Sequence, residues 1–177
     1  MHGEAEAAWV LCGLTALLCM LTAVLCVSLL LTWRSMRWTK QQQNLQTMSS
    51  RFNANDIRFA RAMTADRMLD PKLSTILGHP PPHARKVIAL LMQVKQMVDR
   101  GELDFNDVIN HFGDHIMVYG GKFRKLGDEQ NQGRYDSFVA LHAETNKSRQ
   151  FRQFQDDLDT YFDKEFWECE ASLKGGV

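Results

Sequence analysis

The longest apolar pattern in the chain runs from Ala7 to Trp33 and contains no Asp, Glu, Lys, Arg, His, Asn or Gln. A helix needs roughly 20 residues to cross a hydrocarbon core, and this segment is longer than that. A cleaved signal peptide would have a basic start and an apolar run of about 7–15 residues, whereas Glu4 and Glu6 precede this segment. The pattern therefore predicts a retained transmembrane helix over 7–33, behind a short N-terminal tail over 1–6.

Flanking charge predicts the orientation of that helix. Arg34, Arg37 and Lys40 follow the apolar segment directly, and no Lys or Arg precedes it. Positively charged flanks remain on the cytoplasmic side. We therefore expect a single-pass protein of the cell inner membrane, with its N-terminus outside and its C-terminal domain in the cytoplasm.

Small, weakly polar side chains recur along one face of the predicted span. Three cysteines are spaced by seven residues, and a threonine follows each of the first two by three positions: Cys12, Thr15, Cys19, Thr22 and Cys26. Such a stripe lets a second helix approach closely in lipid, so it indicates packing against other transmembrane subunits. The alternative is that these residues are merely tolerated facing lipid.

The segment over 34–70 is basic and has two candidate surfaces. The cations predicted to lie at the membrane surface, where membrane lipid is the partner, are Arg34, Arg37, Lys40 and Arg51. Large apolar side chains recur every seven residues and are candidates for docking, either to a partner or to the chain's own domain: Trp38, Leu45, Phe52 and Phe59. A solvated connecting helix is the third interpretation.

Periodicity over 71–177 predicts a small helical domain, so that the fold class is all-α, with a transmembrane helix followed by a bundle of four to five helices. The sequence at Asp70-Pro71 ends the preceding helix. One helix has an apolar face from Ala84 to Val98 and ends at Gly101, Asp104 caps the next, and Gly120-Gly121 is expected to end its regular part. Further helical stretches are predicted over 135–141 and 151–166.

A resemblance lies within this domain, over Val87 to Lys125. Its turn at Asp99-Arg100-Gly101-Glu102-Leu103-Asp104 and the following Phe112-Gly113-Asp114-His115-Ile116 are similar to a group of uncharacterised bacterial membrane proteins. These proteins have one N-terminal span and a short cytoplasmic helical domain. The resemblance implies no activity and no functional residues.

Candidate chemistry is sparse. His111 and His115 share a helix face and could hold a metal ion with Asp107 or Asp114, but the Glu of a zinc-hydrolase motif is missing. Ordinary hydrogen-bonded histidines are the simpler interpretation. Basic and acidic residues number 21 each, which gives no global attraction to nucleic acid.

These patterns favour a non-catalytic protein without a cofactor or a bound metal. We expect a membrane-anchored interaction protein, an accessory or stabilising subunit of a larger complex of the respiratory or photosynthetic kind. The alternative is a membrane-tethered regulatory module whose cytoplasmic domain binds a protein or a small ligand.

Overall fold

The computed structural model describes residues 2–70, 80–123, 133–148 and 161–176. These residues form six α-helices and a short C-terminal 3₁₀ helix, and none of them lies in a β-strand. The chain separates into two compact units, Met1–Gln41 and Gln42–Val177. We call them the anchor unit and the bundle unit.

The helix bounds agree with the expected boundaries in some places and differ in others. They are α1 His2–Phe52, α2 Asn55–Leu69, α3 Pro82–Asp99, α4 Phe105–Lys122, α5 Asp136–Lys147 and α6 Tyr161–Ser172, followed by the 3₁₀ helix Leu173–Gly176. Helix α1 begins at His2, so most of the tail expected over 1–6 is helical. Of the helical stretch predicted over 151–166, residues 151–160 lie outside the described residues.

Local sequence signals account for the turn between α3 and α4. Gly101 has a φ of 69°, a left-handed conformation that side chains with a Cβ rarely adopt, and it follows the last turn of α3. The Asp104 carboxylate accepts hydrogen bonds from the backbone N–H groups of Asn106 and Asp107, and so caps α4. Both predictions for this turn are confirmed.

One helix end was not expected from the sequence, and one expected end was wrong. Helix α1 ends at Phe52, because Ala54 takes an extended conformation with φ −64° and ψ 148°, in a segment with no Gly or Pro to signal it. Helix α4 continues through Gly120 and Gly121 to Lys122. A Cβ on Gly120 would collide with the His142 ring of α5, so this glycine serves close helix packing instead of ending the helix.

The core lies in the bundle unit and receives side chains from every helix that enters it. Its fully or nearly fully buried members include Phe52 of α1, Ala65 of α2, Val87, Leu91 and Val94 of α3, Phe112, Ile116 and Tyr119 of α4, Phe138 and Leu141 of α5, and Trp167 of α6. Removing this apolar surface from water is the main drive for the bundle to form.

Candidate functional site

The apolar part of α1 has the surface of a membrane helix. Side chains are exposed without a break from Trp9 to Lys40. Within the described part of the chain this is the one helix long and apolar enough to cross a membrane, and its apolar window is 0% buried. Its exposure distinguishes it from the core helix of a soluble protein. A signal sequence near an N-terminus would have a similar length and apolar composition. It is therefore a candidate membrane span.

Hydroxyl groups along the small-residue stripe bond to their own helix. The Thr15 hydroxyl lies 2.9 Å from the backbone oxygens of both Leu11 and Cys12. The Thr22 hydroxyl makes the same pair of contacts one heptad later, at 2.8 Å and 2.9 Å. The cysteines at positions 12, 19 and 26 are free and exposed. The stripe therefore presents small side chains to a neighbouring helix. Its threonine hydroxyls already donate hydrogen bonds to the backbone of their own helix.

The end of the anchor unit carries cations and tryptophans together. Arg34, Arg37 and Lys40 are exposed. The Arg37 guanidinium carbon lies 5.8 Å from the centroid of the Trp33 ring, within the range of a cation–π contact. Trp33 and Trp38 remain 62% and 64% exposed. Arg51, the fourth cation predicted for the membrane surface, is exposed but belongs to the bundle unit.

The four apolar residues considered for docking divide into two pairs. Leu45 and Phe52 are buried in the core of the bundle unit, so the second of the two alternatives describes them: they pack against the chain's own domain. Trp38 and Phe59 are exposed, and the Phe59 ring lies 5.9 Å from the His83 ring. Only this second pair is available to a partner.

A buried charged cluster joins four helices, and we call it the Arg61–Glu170–His115 cluster. Arg61 of α2 donates two hydrogen bonds to the Glu170 carboxylate of α6, from Nε at 2.6 Å and from Nη2 at 2.5 Å. Its Nη1 lies 3.4 Å from the carbonyl oxygen of Phe52, the last residue of α1. The His115 Nε2 of α4 lies 3.3 Å from the same carboxylate.

Aromatic rings enclose the cluster. The Arg61 guanidinium lies 4.4 Å from the centroid of the Phe52 ring, and the His115 ring contacts Phe52 and Phe166 edge to face. The side chains of Arg61 and Glu170 are only 8% and 5% exposed. A planar guanidinium with its two-pronged contact to a carboxylate is the geometry that tolerates such burial.

The charges in this cluster control each other's ionisation. Burial alone would raise the pKa of Glu170, but hydrogen bonds from Arg61 and His115 outweigh it and hold the pKa below its usual value. Burial raises the pKa of Tyr119, with the Glu170 charge adding to the effect. The Tyr119 hydroxyl is buried without a well-formed hydrogen bond, although Thr64 is close. The Thr64 hydroxyl donates to the Ala60 carbonyl oxygen at 2.7 Å.

Sequence reasoning missed this cluster. Arg61 is one of several basic residues in the 34–70 segment, and Glu170 is one of several acidic residues near the C-terminus, and charged residues in such groups are usually solvated. The two are 109 positions apart in the chain. No local sequence pattern identifies such a pair, because its two residues lie on helices that are far apart in the chain.

Shallow polar surface lies along the end of α1. This polar groove is lined by Gln42, Leu45, Gln46, Ser49, Ser50, Asn53 and His111. Gln42 donates to the Asp107 carboxylate at 3.1 Å, and the His111 ring contacts the Asp107 carbonyl oxygen at 2.9 Å. His111 is exposed while His115 faces Glu170, so the two histidines do not converge on a common position.

Among the residues described, no group of three or more His, Cys, Asp or Glu side chains is arranged so that it could hold a metal ion. No family model, curated protein or solved structure matches the chain.

Proposed function

We propose that the chain is a non-catalytic, membrane-anchored interaction protein, an accessory or stabilising subunit of a larger inner-membrane complex. The observation that carries this proposal is the exposed apolar surface of α1 from Trp9 to Trp33, in a chain whose bundle unit has a core of its own. In water such a surface is strongly unfavourable, and a bilayer or a partner helix removes the penalty.

The use of the buried charges supports an interaction role. Arg61 and His115 both contact the Glu170 carboxylate and so tie α2, α4 and α6 together. Lys95 is itself buried and pairs with two exposed carboxylates, those of Asp99 on its own helix and of Glu144 on α5, the latter at 3.2 Å. Buried charges that pair with each other hold a scaffold in one arrangement, which is what a docking domain requires.

Orientation and partners belong to the same proposal. The basic flank after Trp33 favours a cytoplasmic bundle and an external N-terminus. The small-residue stripe then faces other transmembrane subunits inside the bilayer, where small side chains allow close helix packing. The exposed Trp38 and Phe59 are the apolar contacts left for a partner outside the hydrocarbon.

The test is purification of the tagged full-length chain from membranes in a mild detergent, with the size of the intact assembly measured by native electrophoresis. We expect one stoichiometric complex much larger than the 20.3 kDa chain. The informative variant replaces Cys12, Cys19 and Cys26 with Leu, which keeps the helix apolar but fills the stripe. Its control replaces Leu14, Leu21 and Leu25 with Ile.

The outcomes separate the proposal from its alternatives. Loss of the large assembly in the Leu variant alone assigns the contact to the stripe. A solitary chain in both variants and in the wild type would contradict the accessory-subunit proposal.

A membrane-tethered regulatory module is the second candidate, and the polar groove favours it. Amide and hydroxyl groups from Gln46, Ser49 and Asn53 line an open surface beside His111. These groups suit a small neutral polar ligand, because they donate and accept hydrogen bonds without charge. A ligand that stabilises the solitary chain against heat, and no longer does so when Ser49 is changed to Leu, would favour this function.

A further inference from the structure

Cations and indole rings at the end of the anchor unit lie on one side of α1. Successive residues of an α-helix are turned by about 100°, so Trp33, Arg34, Arg37, Trp38 and Lys40 fall within an arc of about 160°. The opposite arc carries uncharged side chains, which are Thr32, Ser35, Met36 and Thr39. A basic flank that only sets topology does not need this one-sided arrangement.

The charge on this face is uncompensated. No Asp or Glu occurs between Glu6 and Asp56, so none lies within reach along the helix. Arg34, Arg37 and Lys40 are all exposed. The described residues of the anchor unit provide them with no nearby carboxylate, so an anionic group that neutralises them has to come from outside this unit.

The tryptophans identify where that ligand lies. Indole rings prefer the headgroup level of a bilayer, where one edge is apolar and the N–H group is hydrated. Arg37 stacks over Trp33 at 5.8 Å, which holds the guanidinium at the level of that ring. Phosphate diesters lie at the same level, and guanidinium groups bind phosphate oxygens in a two-pronged contact.

We propose that the Trp33–Arg34–Arg37–Trp38–Lys40 face binds the headgroup of an anionic phospholipid in preference to a zwitterionic one. This inference rests on the proposed membrane anchoring and adds the class of lipid. Arg34 and Arg37 contact the phosphate, Lys40 adds charge at the rim, and the two indoles flank the headgroup.

Native mass spectrometry of the full-length chain released from nanodiscs tests the inference. The discs contain equal amounts of phosphatidylglycerol and phosphatidylcholine, and the ratio of the two lipids retained on the protein is measured. The test variant is Arg34→Gln/Arg37→Gln/Lys40→Gln. The control is Lys86→Gln/Arg100→Gln/Arg134→Gln, which removes the same charge from exposed positions of the bundle unit.

Several-fold enrichment of phosphatidylglycerol is expected for the wild type and the control, with parity for the test variant. Raising ammonium acetate from about 50 mM to about 500 mM lowers the enrichment, because salt screens exposed charges. An equal loss of enrichment in both variants would show that the lipid preference depends only on net charge, and would overturn the inference. Retention of added inorganic phosphate in place of the lipid would overturn it too.

Failure of the anchor is distinguishable from failure of this inference. A chain that does not enter nanodiscs contradicts the membrane-anchored function itself. A chain that enters and retains both lipids equally contradicts only the headgroup preference. Orientation does not affect the result, since both leaflets of the disc have the same composition.

Discussion

In the Arg61–Glu170–His115 cluster, the stability of the bundle depends strongly on a few buried charged atoms. A buried ion pair adds little net stability when intact, because desolvation offsets the attraction, but removal of one partner leaves the other charge buried alone. The pair also satisfies a carbonyl oxygen at the end of α1, since Arg61 Nη1 reaches the Phe52 oxygen at 3.4 Å. One guanidinium thus connects the end of α1 to α2 and α6.

The first prediction follows from this asymmetry. Glu170→Gln should destabilise the bundle unit by about 3 kcal/mol, because Arg61 loses its counter-charge while buried. Glu168→Gln removes an exposed carboxylate that pairs weakly with Lys164 at 3.7 Å, and should change stability by less than about 0.5 kcal/mol. Denaturant unfolding of the full chain in detergent, followed by near-ultraviolet circular dichroism, measures both.

A double variant distinguishes charge from packing. Arg61→Met combined with Glu170→Met removes both charges and keeps apolar volume. It should recover most of the stability lost in Glu170→Gln. No recovery in the double variant would show that shape, and not the unpaired charge, dominates at this position.

Acid should weaken the same contact. The pKa of Glu170 is lower in the folded chain than in the unfolded one, so its contribution is complete above the unfolded value of about 4.3 and is lost as the pH falls through the folded value. Between about pH 5 and pH 3 the wild type should therefore lose more stability than Glu170→Gln. Parallel losses in the two proteins would contradict this.

At the scale of the helix, packing between helices, and not helix propensity, explains why the end of α4 was predicted wrongly from the sequence. Gly120 and Gly121 read as a helix end, yet both lie in α4. Their environments differ completely: a Cβ on Gly120 would meet the His142 ring, whereas one on Gly121 would have nothing within 4 Å. Adjacent glycines therefore provide a matched pair.

Gly120→Ala should destabilise the bundle by about 1–3 kcal/mol through overpacking against α5. Gly121→Ala should stabilise it by about 0.5–1 kcal/mol, because alanine loses less backbone entropy in a helix. Thermal unfolding followed by circular dichroism at a helix wavelength compares them. If Gly120→Ala is harmless, or if a second His142→Ala change does not relieve its effect, the close α4–α5 contact is not what Gly120 serves.

The helix boundaries that the sequence predicts correctly depend on neighbouring residues, whereas those that it misses depend on residues far away in the chain. The Gly101 turn and the Asp104 cap depend on groups within a few residues, so local sequence predicts them. The end of α1 at Phe52 depends on burial of Phe52 and on Arg61, and Arg61 in turn depends on Glu170 of α6. Sequence patterns describe each segment separately and do not contain such long-range pairs.

At the scale of the whole molecule, charge is distributed so that chain neutrality hides a strong local bias. The chain has 21 basic and 21 acidic residues, but no Lys or Arg precedes Trp33 and three follow it within one short stretch. Net charge therefore says nothing about how the chain would insert. The bias across the apolar segment does, since topology depends on the cations that flank a span.

The last prediction concerns that insertion. A reporter active only in the cytoplasm should work when fused after Val177 in a bacterial host, and one active only outside should fail there. An epitope tag placed before Met1 should remain on the chain if, as we propose, the apolar segment is a retained anchor and not a cleaved signal. Replacing Arg34, Arg37 and Lys40 with Gln while changing Glu4 and Glu6 to Lys reverses the flanking bias, and should bring a substantial fraction of chains into the opposite orientation. Its control exchanges Lys86, Arg100 and Arg134 for Gln and leaves both flanks unchanged. Loss of the tag with a shortened product would identify a signal peptide, and an external C-terminus in the wild type would overturn the cytoplasmic assignment.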